Sequence, residues 1–451
     1  MAMQPIAQLV ANLASGVTTS RKLVEAAIDR IEDTAGEGAR AFIRFDPAPA
    51  RAAADAMDAL RKVGHAPGPL AGIPIAIKDL ADVQGQLTTA GSVALADAAP
   101  ARADAPVVAR LRAAGLIPIG RTNMTEFAYS GLGLNPHYGT PSSPWDRASK
   151  RVPGGSSSGS GVAVADGMAA GALGTDTGGS CRIPAAFNGV AGYKPTARRV
   201  PTDGVVPLSM SLDSIGPLAP TVDCCRILDA VMAGEVESGT PATNLSGARL
   251  FVPETTVLDG LDSHVAADFD RTLSVLSKAG ARIMRGRFEP FERIPALVRK
   301  GGLSAAESYA WHRELLARQG NRYDPRVRAR IMMGETQSAA EYIDLLTRRR
   351  EAIAAYEQAL AGYDAILSPT VPVVAPRIAE CEPDAEYGRI NLLVLRNTLM
   401  INVVDGCSIA LPMHAAGAPP TSLMISGPAM ADRRILALAA AVEDALALRT
   451  A

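Results

Sequence analysis

Two stretches rich in glycine and serine contain the residues best suited to catalysis in this chain. They are Gly154–Gly161 and Thr175–Ser180, with an apolar, helix-length segment between them. If that segment packs back across a sheet, the serines of both stretches come close together. Glycine beside serine lets the backbone approach a ligand, and successive N–H groups that point one way form an oxyanion hole. Four residues of the second stretch suit such a site: Thr177, Gly178, Gly179 and Ser180.

A flexible linker is the alternative interpretation of Gly154–Gly161. We disfavour it because the stretch runs directly into an Ala- and Val-rich segment and then into a second glycine-rich turn. The mostly apolar residues Gly161–Gly174 predict a helix that is buried against a tight loop.

A serine nucleophile needs a base, and histidine is the usual one. None of the five histidines has a distinctive context, so surface or core roles are favoured for all of them: His65, His137, His264, His312 and His414. Lysine is the alternative. Lys78, one of seven lysines, ends the apolar run Gly72–Ile77, where desolvation would lower its pKa and leave a neutral amine. A lysine that reaches solvent from a strand end is the other interpretation, and position alone leaves both open.

Other nucleophile motifs are weaker. Gly155–Gly159 matches the G-x-S-x-G elbow of α/β-hydrolases, centred on Ser157, but Lys150–Pro153 stands where that fold needs a strand. No lysine has a serine three residues before it, and no Gly-Lys-Ser/Thr loop occurs. Cys181 follows the second stretch without a base at a recognisable spacing, so we predict a packing role for this thiol.

The segments around these stretches alternate between strand and helix patterns. Amphipathic helices are predicted at the N-terminus, with Thr19 or Ser20 as the cap of the second. Strands are predicted at Ile73–Ile77, Leu116–Gly120, Leu250–Val252, Arg282–Met284 and Ala365–Leu367. Helices are predicted at Ala105–Ala114, Met124–Ala128, Val265–Ala279, 303–318 and 338–361. The alternation predicts an α/β fold with a large sheet that is covered by helices.

The organisation of the chain favours one large domain, because no fixed-period repeat and no acidic or proline-rich linker divides it. Within residues 1–451 we distinguish three parts. They are an N-terminal helical segment (about 1–65), a catalytic core (about 66–235) and a C-terminal part of the same sheet (about 236–451).

Composition excludes several classes of function. The 451 residues include 45 Lys and Arg against 46 Asp and Glu, a net charge of −1. Without a long basic tract, neither a nucleic-acid partner nor an anionic-lipid surface is expected. The N-terminus lacks the pattern of a secretory signal, and no apolar run reaches the length of about 18 residues that a membrane span needs. The five cysteines form no Cys-x-x-Cys pair. We therefore expect a cytoplasmic protein.

A longer set of motifs strongly resembles the amidase signature family. The two glycine-rich stretches lie in blocks that continue to Pro184 and are followed by Gly192–Thr196. Further blocks stand in the family's order: Gly72–Asp79, Gly120–Phe127, Asp213–Pro217 and Asp364–Thr370. The resemblance covers most of the chain and implies an amidohydrolase. It also implies the amidase signature fold, a single large α/β domain with a mixed central sheet that is covered by helices on both faces.

The resemblance also implies a Ser–cisSer–Lys triad. Ser180 is then the nucleophile, Ser156 the bridging serine after a cis peptide bond, and Lys78 the base. The backbone N–H groups of residues 177–180 hold the oxyanion, and an acyl-enzyme is hydrolysed by water. Neither a metal nor an organic cofactor is implied. Three further residues match family positions and are expected to orient the loops: Ser157, Asp176 and Arg182.

The substrate follows less directly from the resemblance. A small-molecule amide is expected, in a pocket lined by Met124, Phe127 and Tyr129. Malonamidase has an arginine three positions after the nucleophile, where Ile183 stands here, so a dicarboxylic half-amide is disfavoured. The family's Gly-x-Pro-x-Gly-x-Gln block reads Gly417–Leu423 without its second Gly and its Gln.

Three functional hypotheses remain at this stage. The first is a stand-alone amidase, with a homodimer as a possible assembly. The second is a partner-dependent, glutaminase-type subunit of a tRNA-dependent amidotransferase. The third is a non-catalytic interaction module, which is disfavoured because Lys78, Ser156 and Ser180 are all present.

Overall fold

The computed structural model describes residues 3–235 and 243–447. Its α-helices are α1 Ile6–Ala14, α2 Ser20–Glu32, α3 Gly38–Ala41, α4 Pro47–Lys62, α5 Pro106–Ala113, α6 Ser158–Ala165, α7 Arg182–Asn188, α8 Val222–Ala233, α9 Ser263–Lys278, α10 Glu289–Glu292, α11 Ile294–Leu297, α12 Gly302–Gln319, α13 Pro325–Met332, α14 Ala339–Leu360, α15 Asp384–Val403 and α16 Asp432–Ala447. The strands are β1 Phe42–Arg44, β2 Pro74–Lys78, β3 Ile117–Thr122, β4 Ala172–Asp176, β5 Ala191–Lys194, β6 Ser214–Ala219, β7 Arg249–Pro253, β8 Arg282–Gly286, β9 Ala365–Pro369, β10 Cys407–Pro412 and β11 Ser422–Gly427.

Within the described residues, eleven strands form one mixed sheet in the order β1-β3-β2-β4-β6-β5-β10-β11-β9-β7-β8. Strand β2 runs parallel to β3 and β4, whereas β6 is antiparallel to β4 and β5. The antiparallel pair β5–β10 joins strands from before and after the undescribed residues 236–242. The predicted single-domain α/β class is therefore confirmed.

Helices cover both faces of the sheet because the central strands carry apolar residues on both faces. On β2, Ile75 and Ile77 pack in the larger hydrophobic cluster with α1, α5 and α8. Ala76 points to the opposite face and packs in a second cluster with α2, α4 and α6. Lys78 follows Ala76 by two residues on β2, so its side chain lies on the same face of the sheet, where α6 packs.

Most predicted elements lie within a few residues of the observed ones. The second N-terminal helix is α2, and the Thr19 side chain caps it by accepting the Lys22 N–H. The segment Met124–Ala128 forms only a 3₁₀ turn over Glu126–Ala128. Among the helices of the described residues, none combines the length and the apolar character needed to span a bilayer.

The segment Gly161–Gly174 differs from its prediction as one helix. Helix α6 ends at Ala165, since Asp166 is its C-cap and Gly167 adopts a left-handed φ of 71°. The chain then turns and enters the fully buried strand β4. A buried strand has the same run of apolar residues as a buried helix, which is why the pattern did not separate them.

Candidate active site

Lys78 is fully buried at the end of β2. Its Nζ donates hydrogen bonds to Ser156 Oγ at 2.8 Å and to Thr175 Oγ1 at 2.7 Å. Burial lowers the pKa of Lys78 to about 8, against the opposing influence of Cys181, Asp176 and Asp213. A fraction of the amine is therefore neutral near pH 7, in contact with a serine hydroxyl.

Ser156 lies in the tight turn that leads into α6. The peptide bond between Gly155 and Ser156 is cis, as the resemblance implies. The Gly155 N–H donates to the Gly131 carbonyl at 2.8 Å, and the Thr125 N–H donates to the Ser156 carbonyl at 3.0 Å. A Cβ at position 155 would lie 2.5 Å from the backbone nitrogen of Gly133, so only glycine fits there.

Ser180 lies in the turn between β4 and α7. The Ser157 N–H donates to the Ser180 carbonyl at 3.3 Å, which joins the two glycine-rich stretches directly. Ser157 is buried, and its hydroxyl donates to the Thr175 carbonyl at 3.4 Å. Within the described residues the Ser180 hydroxyl makes no hydrogen bond, and Ser180 lines a cavity.

The backbone N–H groups of residues 177–180 divide into two sets. No acceptor in the described residues takes the N–H groups of Thr177, Gly178 or Ser180. The Gly179 N–H instead donates to Asp176 Oδ1 at 2.8 Å. The oxyanion assignment of Gly179 is therefore corrected, because a buried carboxylate already binds its donor. Three donors remain for an oxyanion among these four residues.

Asp176 and Arg182 form a fully buried ion pair behind this turn. Arg182 donates to the two carboxylate oxygens at 3.0 and 2.8 Å, and Asn402 Nδ2 donates to Asp176 at 2.9 Å. Burial raises the pKa of Asp176, but the attraction of Arg182 outweighs it and holds the pKa well below its ordinary value. The charged carboxylate also accepts the N–H of Cys181 at 3.0 Å, so it fixes the backbone on both sides of Ser180.

A cavity of about 740 Å³ opens beside Ser180 and the free N–H groups of this turn. Most of its wall is apolar, including Leu212, Leu297, Leu395, Leu399 and Met400. Such a cavity can enclose a small organic substrate with its reacting carbonyl at Ser180.

The charged residues in the wall of this cavity are all basic within the described part of the chain: Lys300, Arg326, Arg330, Arg349 and Arg396. Four of them have partners. Lys300 and Arg326 form ion pairs with Glu341 and Asp384, while Arg349 and Arg396 donate to backbone carbonyls.

Arg330 differs from these four. Its guanidinium lies over the ring of Tyr129, 4.7 Å from the centroid, and has neither an ion pair nor a hydrogen bond within the described residues. A partly buried guanidinium in an apolar cavity, with its donors free, is suited to binding a carboxylate.

A family model described as Amidase matches residues 22–436. The chain belongs to the Amidase family. The 2-amino-5-chloromuconic acid deaminase of Comamonas testosteroni is 38% identical over 413 residues, which cover 89% of this chain and 88% of that protein. A glutamyl-tRNA(Gln) amidotransferase subunit of Chloroflexus aggregans is 35% identical, with coverages of 90% and 86%. A crystal structure of an amidase has a TM-score of 0.89 at 32% identity and covers 98% of this chain and 99% of that one. The protein is thus a hydrolase of amide C–N bonds.

The pocket predicted for this amidase is correct only in part. Tyr129 lines the cavity, but Met124 and Phe127 do not. The Phe127 ring packs 4.4 Å from the His312 ring and 5.0 Å from the Tyr323 ring, measured between centroids, and Met124 is buried in the same cluster. These side chains are occupied by packing against α12 and the segment after it, which local spacing did not reveal.

The histidines and Cys181 stay outside the chemistry of this amidase. No histidine in the described residues lines the cavity. His312 is buried, its Nδ1 lies 2.9 Å from the Tyr323 hydroxyl, and burial lowers its pKa to about 3. Cys181 is fully buried, and burial raises the pKa of its thiol far above the ordinary value. Both observations agree with the packing roles expected for these residues.

Besides Arg330, three residues of the site were missed by sequence reasoning. Thr175 binds Lys78, Asn402 binds both members of the ion pair, and Asp213 accepts the Thr177 hydroxyl at 2.5 Å. Thr175 and Asp213 stand inside family blocks, which was a usable signal. Asn402 comes from α15, more than 200 residues away from its partners, and no local pattern pointed to it.

Proposed function

We propose that this amidase acts alone on a small carboxamide whose acyl part carries a carboxylate. The observation that supports the substrate class is the unpaired guanidinium of Arg330 in the wall of an apolar cavity that also contains Ser180. An anionic substrate would supply the missing hydrogen-bond acceptors. Hydrogen bonds between charged groups contribute about 1.5–3 kcal/mol, more than neutral ones.

The proposed reaction uses Lys78, Ser156 and Ser180. Neutral Lys78 takes a proton from Ser156, and Ser156 takes one from Ser180 as its Oγ attacks the amide carbonyl. The free N–H groups at positions 177, 178 and 180 bind the oxyanion. Ser156 then protonates the leaving nitrogen as the C–N bond breaks and regains a proton from Lys78, which becomes neutral again. Water attacks the acyl-enzyme by the reverse proton relay and restores Ser180.

One relative supports an anionic substrate. The deaminase of Comamonas testosteroni is named for 2-amino-5-chloromuconic acid, which is itself an acid. An arginine three positions after the nucleophile is absent here, since Ile183 occupies that place. Arg330 reaches the same cavity from α13 and offers another way to bind a carboxylate. Half-amides of dicarboxylic acids, which the sequence alone disfavoured, are therefore the first substrates to test.

The experiment measures ammonia release by the purified chain alone. The substrates are half-amides of dicarboxylic acids, neutral amides of the same chain length, and glutamine, with Ser180→Ala as the background. We expect release that Ser180→Ala abolishes and that is faster with the half-amides. Equal rates for the charged and neutral members of each pair would refute the proposed preference for a substrate that carries a carboxylate.

A variant pair isolates Arg330. Arg330→Gln should raise KM for the half-amides about ten- to a hundredfold, in line with about 1.5–3 kcal/mol, and leave the neutral amides unchanged. Arg328→Gln is the matched control, because Arg328 is exposed on the same helix and lies outside the cavity wall. Equal effects of the two substitutions would assign the change to net charge alone.

A partner-dependent glutaminase is the second candidate, and the 35% identity to a glutamyl-tRNA(Gln) amidotransferase subunit favours it. It predicts that the chain alone is silent on the whole panel and releases ammonia from glutamine only when partner chains are added. A homodimer and a cytoplasmic location remain predictions from the sequence.

A further inference from the structure

Asp213 faces the oxyanion turn because of the register between β4 and β6. Asp176, the last residue of β4, pairs with Ser214, the first residue of β6. In an antiparallel pair, the next residue of one strand lies opposite the preceding residue of the other. Thr177 and Asp213 therefore meet just beyond the end of the ladder, beside the cavity that contains Ser180.

The two carboxylate oxygens of Asp213 bind two different segments. Oδ1 accepts the Thr177 hydroxyl at 2.5 Å. Oδ2 accepts the N–H groups of Leu208 and Ser209 at 3.0 and 3.1 Å. The side chain thus ties the oxyanion turn to the turn at residues 208–209.

The turn at residues 208–209 is itself held from the far side. Glu307 on α12 is buried and accepts the Ser209 hydroxyl at 2.5 Å, the Ser211 N–H at 3.0 Å and the Tyr342 hydroxyl at 2.8 Å. A continuous hydrogen-bond chain therefore runs from α12 through Ser209 and Asp213 to Thr177. A chain of this kind can hold the turn rigidly.

Asp213 also lies at a boundary between cavities. Thr177 and Leu208 line the large cavity beside Ser180, and both line a second cavity of about 280 Å³ together with Asp213. Without the Asp213 carboxylate, these two residues would be free to move into either space.

We propose that Asp213 is a positioning residue of the oxyanion site. It holds the Thr177 side chain, and through it the Thr177 N–H, at the place where the oxyanion forms. This inference rests on the proposed function, because it concerns the intermediate that Ser180 generates. Asp213 does not contact the substrate in this role and acts through Thr177.

The ionised carboxylate is the form that binds all three donors. Burial raises the pKa of Asp213 to about 6, with a further contribution from Glu307, whereas the hydrogen bonds from Thr177, Ser209 and Leu208 oppose the rise. Two other charged residues lie near Asp213 among the described residues. Lys78 is on β2, and the charge of Asp213 partly opposes the lowering of its pKa. Asp203 lines the second cavity together with Asp213. Positioning should therefore weaken as the pH falls through about 6.

The test measures how fast a fluorophosphonate probe labels Ser180, alongside kcat and KM for the best amide. In the labelling step Ser180 Oγ bonds to phosphorus, fluoride leaves and the serine proton passes to the base. The variants are Asp213→Asn, Thr177→Val, which removes only the hydroxyl, Thr177→Ser, which keeps it, and the double variant Asp213→Asn with Thr177→Val. Asp229→Asn is the matched control, because Asp229 is a buried aspartate of raised pKa that lies on α8 and pairs with Arg199 outside the cavities.

We expect Asp213→Asn and Thr177→Val each to lower the labelling rate and kcat about ten- to a hundredfold, with KM changed less than about twofold. The double variant should lose no more than the slower single variant, because both changes break the same contact. Thr177→Ser should recover most of the rate. The labelling rate of the wild type should fall more steeply below about pH 6, and Asp213→Asn should lack this step while Asp229→Asn keeps it.

Wild-type labelling rates in both Asp213→Asn and Thr177→Val would overturn the inference, and so would additive losses in the double variant. If Asp213→Asn does not fold, the rates of Thr177→Val and Thr177→Ser decide the question. A wild type that is labelled at Ser180 but hydrolyses no amide would refute the proposed function, while the labelling rates still test Asp213. A wild type that is neither labelled nor active contradicts both.

Discussion

Lys78 Nζ lies 2.8 Å from Ser156 Oγ, and both atoms are buried between β2 and the turn before α6. The contact brings together two residues that stand 78 positions apart in the chain. It places a lysine of lowered pKa against a serine whose next neighbour donates to the Ser180 backbone. A proton can therefore pass between Lys78 and Ser156 without a histidine.

The first prediction concerns the pH dependence of the amidase. In the proposed mechanism the neutral amine of Lys78 is the base. Because burial lowers the pKa of Lys78 to about 8, kcat/KM should rise with pH and level off above about 8. Lys78→Arg and Lys78→Ala should lose at least about 10²–10⁴-fold in kcat, since neither supplies a base. Ammonia release measured from pH 5 to 10 checks this. A plateau that already begins near pH 6 would contradict the role of Lys78.

The second prediction concerns Cys181, next to the proposed nucleophile Ser180. Since burial raises the pKa of this thiol and it has no exposed surface, iodoacetamide should not label Cys181 in the folded protein. Cys181→Ala should keep kcat within about threefold and lose about 1–2 kcal/mol of stability, because a small buried side chain is shortened. Mass spectrometry of labelled native and urea-unfolded protein provides the readout. Rapid labelling of Cys181 in the native protein, together with loss of activity, would instead support a catalytic role for this thiol.

The site could be predicted from the sequence to different degrees for different residues. The resemblance supplied Lys78, Ser156 and Ser180 together, whereas position alone left Lys78 undecided between a base and a solvated lysine. Arg330 was not predictable, because its importance arises from the absence of a partner among the described residues, and that depends on how α13 lies against the cavity. Gly179 was assigned as an oxyanion donor because the sequence does not show that its N–H binds Asp176. That contact is set by the folded turn.

The fold was most predictable where one face of an element is apolar and the other polar. The predicted helix at Val265–Ala279 corresponds to α9, Ser263–Lys278, which has such an amphipathic pattern. Fully buried elements were harder, because the first residues of β4, Ala172–Gly174, are apolar on both faces and were read as part of a helix. The sheet order was beyond reach, since it pairs β5 with β10 across more than 200 residues.

The third prediction concerns Gly179, whose φ is +135°. A Cβ at this position would lie 2.2 Å from Thr398 Oγ1, so Gly179→Ala forces both a strained backbone and a collision. We expect a loss of about 2–5 kcal/mol in the free energy of unfolding, measured in urea. Gly178→Ala is the control for stability, since the nearest contact of its Cβ would be Leu399 Cδ1 at an ordinary 3.4 Å. Equal losses at the two positions would refute the steric argument.

The last prediction concerns the buried pair of Asp176 and Arg182. Arg182→Met leaves a buried carboxylate without its cation, so the free energy of unfolding should fall by about 3–5 kcal/mol. The double variant Asp176→Asn with Arg182→Met should recover part of this loss, because it also removes the stranded charge.

The same pair predicts how stability depends on pH. The folded-state pKa of Asp176 lies below the ordinary 3.8, so its contribution is fully present above that value and is lost as the pH falls below it. The wild type should therefore lose more stability than the double variant when urea unfolding is moved from pH 6 to pH 3. Parallel losses in the two proteins would show that the acid sensitivity comes from other groups. If Arg182→Met is as stable as the wild type, water or another cation replaces Arg182 behind the turn that contains Ser180.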